Sequence, residues 1–310
     1  MFEGLKLVEP LPLTRHPAVV YLRSLSPKSQ ITMRGSLNMI ARLLTNGECD
    51  YLSLNWAKLT YQHTAAVQAA LLETCAPATA ATRMCALKRT LKECKRLALI
   101  SGDQYEAAVD LPAIRVPETL PGRALEVSEI EALMAVCEED TTKQGVRDLA
   151  LISILRGAGL RRDKVAKLLL EDLEVETGML RVLNAKGGKN RLVYLSEEAM
   201  VYVNRWLAVR GLQPGALLCP IRKGGRIQYR CMSGQNVYLI VEKRVQEAGL
   251  EKLTPQDFRR TFCSDLFDAG VDPVMVQQLV GHASLQTTAK YDRRKEDLKR
   301  EAIKNLKFKS

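Results

Sequence analysis

An arginine, a histidine and a tyrosine stand near the end of the chain at short intervals: Arg259, His282 23 residues later, and Tyr291 9 residues after that. A guanidinium stays charged and presents a planar fork that meets two phosphate oxygens at once. An imidazole is a further hydrogen-bond donor. A phenol is a latent nucleophile, but its ordinary pKa near 10 means that it needs help to lose its proton as it attacks. The elements that must position them are well marked. Thr254-Pro255-Gln256-Asp257 offers a hydroxyl cap, a proline in the first turn and an acid three residues past the cap, and Gly270 supplies a stop, so a helix is predicted between them. Phe258, Phe262 and Leu266 form its inward stripe at four-residue spacing, which leaves Arg259 beside the core edge. Asp272 and Pro273 open a second helix that halts at Gly281, placing His282 just past its end, and a third short helix from Ser284 carries Tyr291. The three side chains hang on consecutive short elements that can converge.

The rest of the chain favours an anionic partner. Among 310 residues, 46 Lys and Arg face 35 Asp and Glu, a formal charge of +11, which points first to nucleic acid and second to an anionic membrane surface. No apolar run approaches the roughly 18 residues that span a bilayer, and the start of the chain lacks the basic-then-apolar order of a signal peptide, so a soluble, intracellular protein is expected. The eight cysteines lie no closer together than nine residues and only three histidines are present, so neither a structural metal site nor a redox pair is expected, and the cysteines read as small buried hydrophobes.

The stretch from Asp110 to Arg123, with three prolines and a glycine, reads as a linker. It separates a helical first domain (1–110) from a second domain (124–310), with 111–123 between them. In the first domain Ser26 to Leu44, Thr64 to Glu73 and Thr79 to Ile100 repeat apolar residues at helical intervals. The last of these places Met84, Leu87, Leu91 and Cys94 on one stripe. Arg83, Lys88, Arg89, Lys92, Lys95 and Arg96 crowd the remaining surface against a single acid, Glu93, a lopsidedness that suits phosphate contact better than a merely solvated face. In the second domain Val127 to Cys137, Gly145 to Leu155 and Arg161 to Leu173 are predicted helices. Met179 to Ala185 and Arg191 to Leu195 are β-rich runs joined by the turn Lys186-Gly187-Gly188-Lys189-Asn190. The fold class is therefore mainly α with a small antiparallel sheet in the second domain.

From Leu125 to about Arg294 the sequence resembles the tyrosine recombinases, the family of phage and transposon integrases. Four blocks carry the likeness: Gly157-Ala158-Gly159-Leu160-Arg161, the Lys186 hairpin, Thr254 to Phe262, and Leu279-Val280-Gly281-His282 through Thr287-Thr288-Ala289-Lys290-Tyr291. The resemblance implies a helical core-binding domain followed by a catalytic domain, acting on double-stranded DNA without metal or ATP. It gives Arg161 and Arg259 the grip on the scissile phosphate, Tyr291 the attack on phosphorus, Lys186 the proton for the leaving 5′-oxygen, and His282 a further donor to a phosphate oxygen. Lys189 on the same turn could serve in place of Lys186 and otherwise contacts DNA. Each residue also has an ordinary structural reading, Arg161 and Arg259 as helix-end cations, His282 as a capping group and Tyr291 as core; their joint occurrence in order is what favours chemistry.

Two positions depart from the family pattern. Gln256 stands where the family usually carries histidine, and an amide donates a hydrogen bond but cannot shuttle a proton. Lys164 stands where an acid usually orients the first arginine, with Asp163 beside it as a substitute if the helix register allows. From Lys290 to Ser310 nine Lys or Arg face four acids, and Leu298, Ala302, Ile303 and Leu306 can form an apolar strip. It reads either as a basic tail on DNA or, as the resemblance implies, as a segment that docks on a neighbouring subunit in a homo-tetramer on two duplexes. The resemblance leaves room for an accessory DNA-bending protein, and implies a cytoplasmic, nucleoid-associated protein of a prokaryote, phage or mobile element. The rival readings are a non-catalytic DNA-binding or architectural protein and a type IB topoisomerase.

Overall fold

The computed structural model describes residues 4–117, 122–183, 190–282 and 284–291. The chain divides into two compact units, Met1–Glu118 and Thr119–Ser310.

The first unit holds helices α1 (Pro17–Arg23), α2 (Pro27–Thr45), α3 (Tyr61–Thr74), α4 (Pro77–Arg96) and α5 (Gly102–Val109). α1, α2 and α4 begin on proline, whose fixed φ and missing N–H suit a first turn. The stripe predicted on α4 is inside: Met84, Leu87, Leu91 and Cys94 are buried against Leu37, Ile40 and Leu71. Neither α1 nor α5 was expected. Both are short, and α5 depends on its capping box, in which Ser101 Oγ accepts from Gln104 N at 3.1 Å and Gln104 Oε1 accepts from Ser101 N at 2.8 Å.

The second unit runs α6 (Val127–Glu139), α7 (Lys143–Ala158), α8 (Arg162–Val165), β1 (Leu173–Glu174), β2 (Met179–Val182), β3 (Arg191–Tyr194), α9 (Glu197–Arg210), α10 (Gly234–Glu247), α11 (Pro255–Asp268), α12 (Pro273–Val280) and α13 (Leu285–Ala289). The strands form one antiparallel sheet in the order β1-β2-β3, with Leu180 opposite both Leu173 and Val193. The architecture is mostly helical with a small antiparallel sheet. α7 is its centre: every residue from Leu149 to Leu155 is buried, as befits a helix covered on all sides. α9 packs along it, and its Trp206 is fully buried, with Nε1 donating to Leu217 O at 2.8 Å.

The helix expected from Arg161 to Leu173 is not formed. α8 is a single turn, followed by a turn, a 3-10 turn at Leu170–Asp172 and β1. Leu217 N donates to Leu168 O at 2.8 Å and Leu170 N to Gly215 O at 2.9 Å, so a distant segment takes the backbone groups that a helix would have used. The close apolar spacing of Val165, Ala166 and Leu168 reflects burial of an irregular segment. Of the cysteines, 49, 94, 137, 219 and 263 are buried as expected, 75 and 231 are half-buried, and Cys85 is exposed on α4. Lys186, Lys189 and the segment bearing Leu298 to Leu306 lie outside the described residues. No helix among the described residues is long and apolar enough to cross a membrane.

Candidate active site

The site grows from the end of α7. Gly159 closes that helix in the left-handed region (φ 55°), and a Cβ there would lie 2.4 Å from Phe262 Cδ1, so only glycine lets α11 cross so near. Its carbonyl accepts a hydrogen bond from Arg259 Nη1 at 2.8 Å. Arg259 is therefore not at the core edge: it is fully buried, while Phe262 and Leu266 are only half-buried. α11 packs against both α7 and α12, so its covered face is wider than one stripe and takes in Phe258, Cys263 and Phe267 with Arg259. Nε and Nη2 of Arg259 are buried with no hydrogen-bond partner among the described residues. Burial, then the neighbouring Arg161 charge, lowers its pKa to about 10, which leaves it charged at neutral pH.

Arg161 follows two residues after the α7 cap and stays exposed at the start of α8. Its Nη1 makes a long contact, 3.4 Å, to Gly281 O at the end of α12. His282 comes next, buried, with Nδ1 2.9 Å from Thr288 Oγ1 and its carbonyl accepting from Gln277 Nε2 at 3.1 Å. Its pKa is pushed down to about 3 by burial and then by Arg259, Arg161 and Arg191, so the ring is neutral. Tyr291 lies just beyond α13, 4% exposed, its ring stacked on His282 with centroids 5.5 Å apart and planes 13° from parallel. The Arg260 guanidinium sits 5.7 Å from the Tyr291 ring centre. The Tyr291 hydroxyl accepts from Gln256 Nε2 at 3.4 Å, a long bond that exposed Gln256 supplies from the first turn of α11.

Arg161, Gln256, Arg259, His282 and Tyr291 are thus brought together, while Lys186 and Lys189 fall outside the described residues. Sequence reasoning missed Arg191. Its Nε donates to Leu279 O at 2.9 Å, its Nη2 is buried without a partner among the described residues, and burial followed by Arg161 lowers its pKa to about 10. The signal was the strand's alternation: Arg191 shares a face with buried Val193, whereas the apolar Leu192 and Tyr194 face outward. Lys164, where an acid was the family habit, ties its Nζ to Leu183 O just past β2. Asp163 packs on α10 instead, its Oδ1 occupying the space that a Cβ on Gly234 would need.

In the first unit the six cations of α4 divide into two sets. Arg83 donates to Cys75 Sγ at 2.7 Å, Arg96 pairs with Glu93 at 2.8 Å, and Lys95 lies 3.6 Å from Glu106. Lys88, Arg89 and Lys92 have no ion pair or hydrogen bond among the described residues.

Buried guanidinium nitrogens of Arg259 and Arg191 without a partner among the described residues, beside a neutral imidazole and a phenol, are an arrangement whose chemistry suits an anion with several oxygens. The chain belongs to the phage integrase family, whose pattern it matches over residues 123–297. It is 31% identical over 188 residues to tyrosine recombinase XerA of Pyrococcus furiosus, across 61% of this chain and 63% of that protein. It is 32% identical over 229 residues to tyrosine recombinase XerD of Lacticaseibacillus casei, across 71% of this chain and 73% of that one. The match thus spans less than two thirds of the Pyrococcus protein. Among solved structures, the fold resembles the Tn1549 transposon integrase in complex with circular intermediate DNA, with a TM-score of 0.71 at 16% identity, covering 94% of this chain and 99% of that one. It also resembles a lambda integrase dimer bound to a core site, with a TM-score of 0.67 at 17% identity over 92% and 95% of the two chains.

Proposed function

We propose that this protein is a site-specific DNA recombinase that cuts and rejoins strands through a 3′-phosphotyrosyl intermediate. The reading rests on one observation above all: Tyr291 of this chain stacks on its own His282 beside Arg259, with its hydroxyl bonded to Gln256. Arg259, with Nε and Nη2 open, and Arg161, charged and exposed beside it, take the non-bridging oxygens of the scissile phosphate. Tyr291 Oη attacks phosphorus: the Oη–P bond forms, the bond from phosphorus to the 5′-oxygen breaks, the phenolic proton passes to solvent water, and Lys186, or Lys189 on the same turn, protonates the leaving oxygen. A neutral His282 donates to a phosphate oxygen through its free nitrogen when Nδ1 accepts from Thr288. Gln256 orients the phenol without accepting its proton. The phosphotyrosyl ester retains the energy of the bond broken, so a second 5′-hydroxyl reseals it without ATP, and fixed cations take the place of a metal ion.

Residues 1–110 act as the core-binding domain, with Lys88, Arg89 and Lys92 free to meet phosphates, and 111–123 as its linker to the catalytic domain. The working assembly is a homo-tetramer on two duplexes, linked through the segment after Tyr291, in the cytoplasm. Incubation with a duplex nicked so that the cut product diffuses away tests the chemistry. A covalent protein–DNA adduct that is absent in Tyr291→Phe supports it, and DNA binding without an adduct leaves only a DNA-holding protein. Exchange of strands between two labelled duplexes separates recombinase from topoisomerase.

A further inference from the structure

Arg191 is explained neither by packing alone nor by the roles assigned above. It enters the pocket from β3 and is drawn against the end of α12, where a Cβ on Gly281 would stand 2.6 Å from its Nη1, so the left-handed glycine (φ 67°) makes room for this guanidinium. Nε is used, on Leu279 O at 2.9 Å. Nη2 is buried and has no partner among the described residues, which repeats the condition of Nε and Nη2 on Arg259. No carboxylate pairs with Arg161, Arg191 or Arg259 among the described residues, although their charges repel one another. Packing three uncompensated cations together while leaving donors dry is costly unless an anion completes the site. Capping the end of α12 needs only the Nε bond and accounts for neither the open Nη2 nor the shared pocket.

We propose that Arg191 is a catalytic residue, a third guanidinium whose Nη2 meets a non-bridging oxygen of the scissile phosphate. The proposal rests on the phosphate-transfer reading of the site. Arg161 reaches it from the cap of α8, Arg259 from α11 and Arg191 from β3.

The test uses the full chain with two cleavable duplexes, one ordinary and one carrying a methyl group in place of a non-bridging oxygen at the cut, in both diastereomers. Arg191→Met and Arg191→Lys each lower adduct formation on the ordinary duplex by about 10²–10³-fold, the usual cost of one oxyanion donor. On one methylated diastereomer the loss shrinks to under about tenfold, because the oxygen that Arg191 would neutralise is gone. Equal losses on all substrates, or no loss, overturn the proposal and leave Arg191 as a helix cap. If Arg191→Met fails to fold, the lysine variant, which keeps a capping charge, carries the same comparison. If the unaltered protein forms no adduct, the phosphate-transfer reading fails by itself, and inorganic phosphate at constant ionic strength then decides the anion site. A saturable rise in melting temperature in the unaltered chain, absent in Arg191→Lys, supports Arg191 as an anion ligand; the same rise in both refutes it.

Discussion

Gly159→Ala is the substitution that most closely tests how the site is held. The residue has φ 55°, a region that costs a residue with a Cβ about 1–2 kcal/mol. The added methyl would stand 2.4 Å from Cδ1, 2.9 Å from Cγ and 3.2 Å from Cβ of half-buried Phe262 on α11; turning the ring leaves the crowding at Cβ, and such overpacking costs about 1–3 kcal/mol. The expected loss is about 2–5 kcal/mol in the second unit. The two tryptophans make it measurable unit by unit, since Trp56 lies in the first and Trp206 in the second: denaturant unfolding in a Trp56→Phe background reports the second unit alone. Because Gly159 O anchors Arg259, the shift also displaces that guanidinium, and a 1 Å misplacement can cost about 10²-fold in adduct formation under conditions where the variant is still folded. Gly35→Ala is the control. It sits mid-helix in α2 with nothing within 4 Å of the new Cβ, and should stabilise the first unit by about 0.5–1 kcal/mol. A Gly159→Ala protein within about 0.5 kcal/mol of the parent and equally active would refute the packing of Phe262 and Arg259 on this turn.

Three further outcomes follow from the site and the basic helix. With its folded pKa near 3, below the ordinary 6.5, His282 gives stability that is fully present above pH 6.5 and is lost as pH falls toward 3; its ring proton resonance should stay flat through neutral pH in the free protein and titrate at a higher pH once duplex DNA brings phosphate into the pocket. Gln256→His, which sets an imidazole beside the Tyr291 hydroxyl in place of an amide 3.4 Å away, should keep adduct formation and add a rise in rate with pH near 6.5, whereas abolished cleavage would argue against a shared role at this position. Changing Lys88, Arg89 and Lys92 together to Gln should flatten the slope of log affinity against log salt by about 3, measured by fluorescence anisotropy on a duplex, and an unchanged slope would remove α4 from the DNA contact.

The parts of this molecule that could be read from sequence are those whose signals are local. Thr254, Pro255 and Asp257 opened α11 as expected, with Asp257 Oδ2 accepting from Thr254 N and Oγ1 at 2.8 Å each, and Asp272 with Pro273, then Gly281, bounded α12 and so placed His282. What could not be read depends on partners far along the chain. Val165, Leu168 and Leu169 recur at helical intervals, but Leu168 and Leu170 give their backbone groups to Leu217 and Gly215. Arg259 looked like an edge residue because its acceptor, Gly159 O, lies 100 residues away. Arg191 was hidden by a strand whose outward residues, Leu192 and Tyr194, are the apolar ones. The substitution of Lys164 for an acid was visible, but its use, a bond to Leu183 O beside the hairpin, needed the fold.

In the proposed reaction one phenolic oxygen of this chain becomes esterified to a DNA strand. Trapping the adduct on a nicked duplex, digesting both protein and DNA, and sequencing the modified peptide by mass spectrometry tests it directly. A nucleotide mass carried by Tyr291 alone is the expected result; a modified residue elsewhere, or DNA bound with no covalent product at all, would refute esterification at Tyr291.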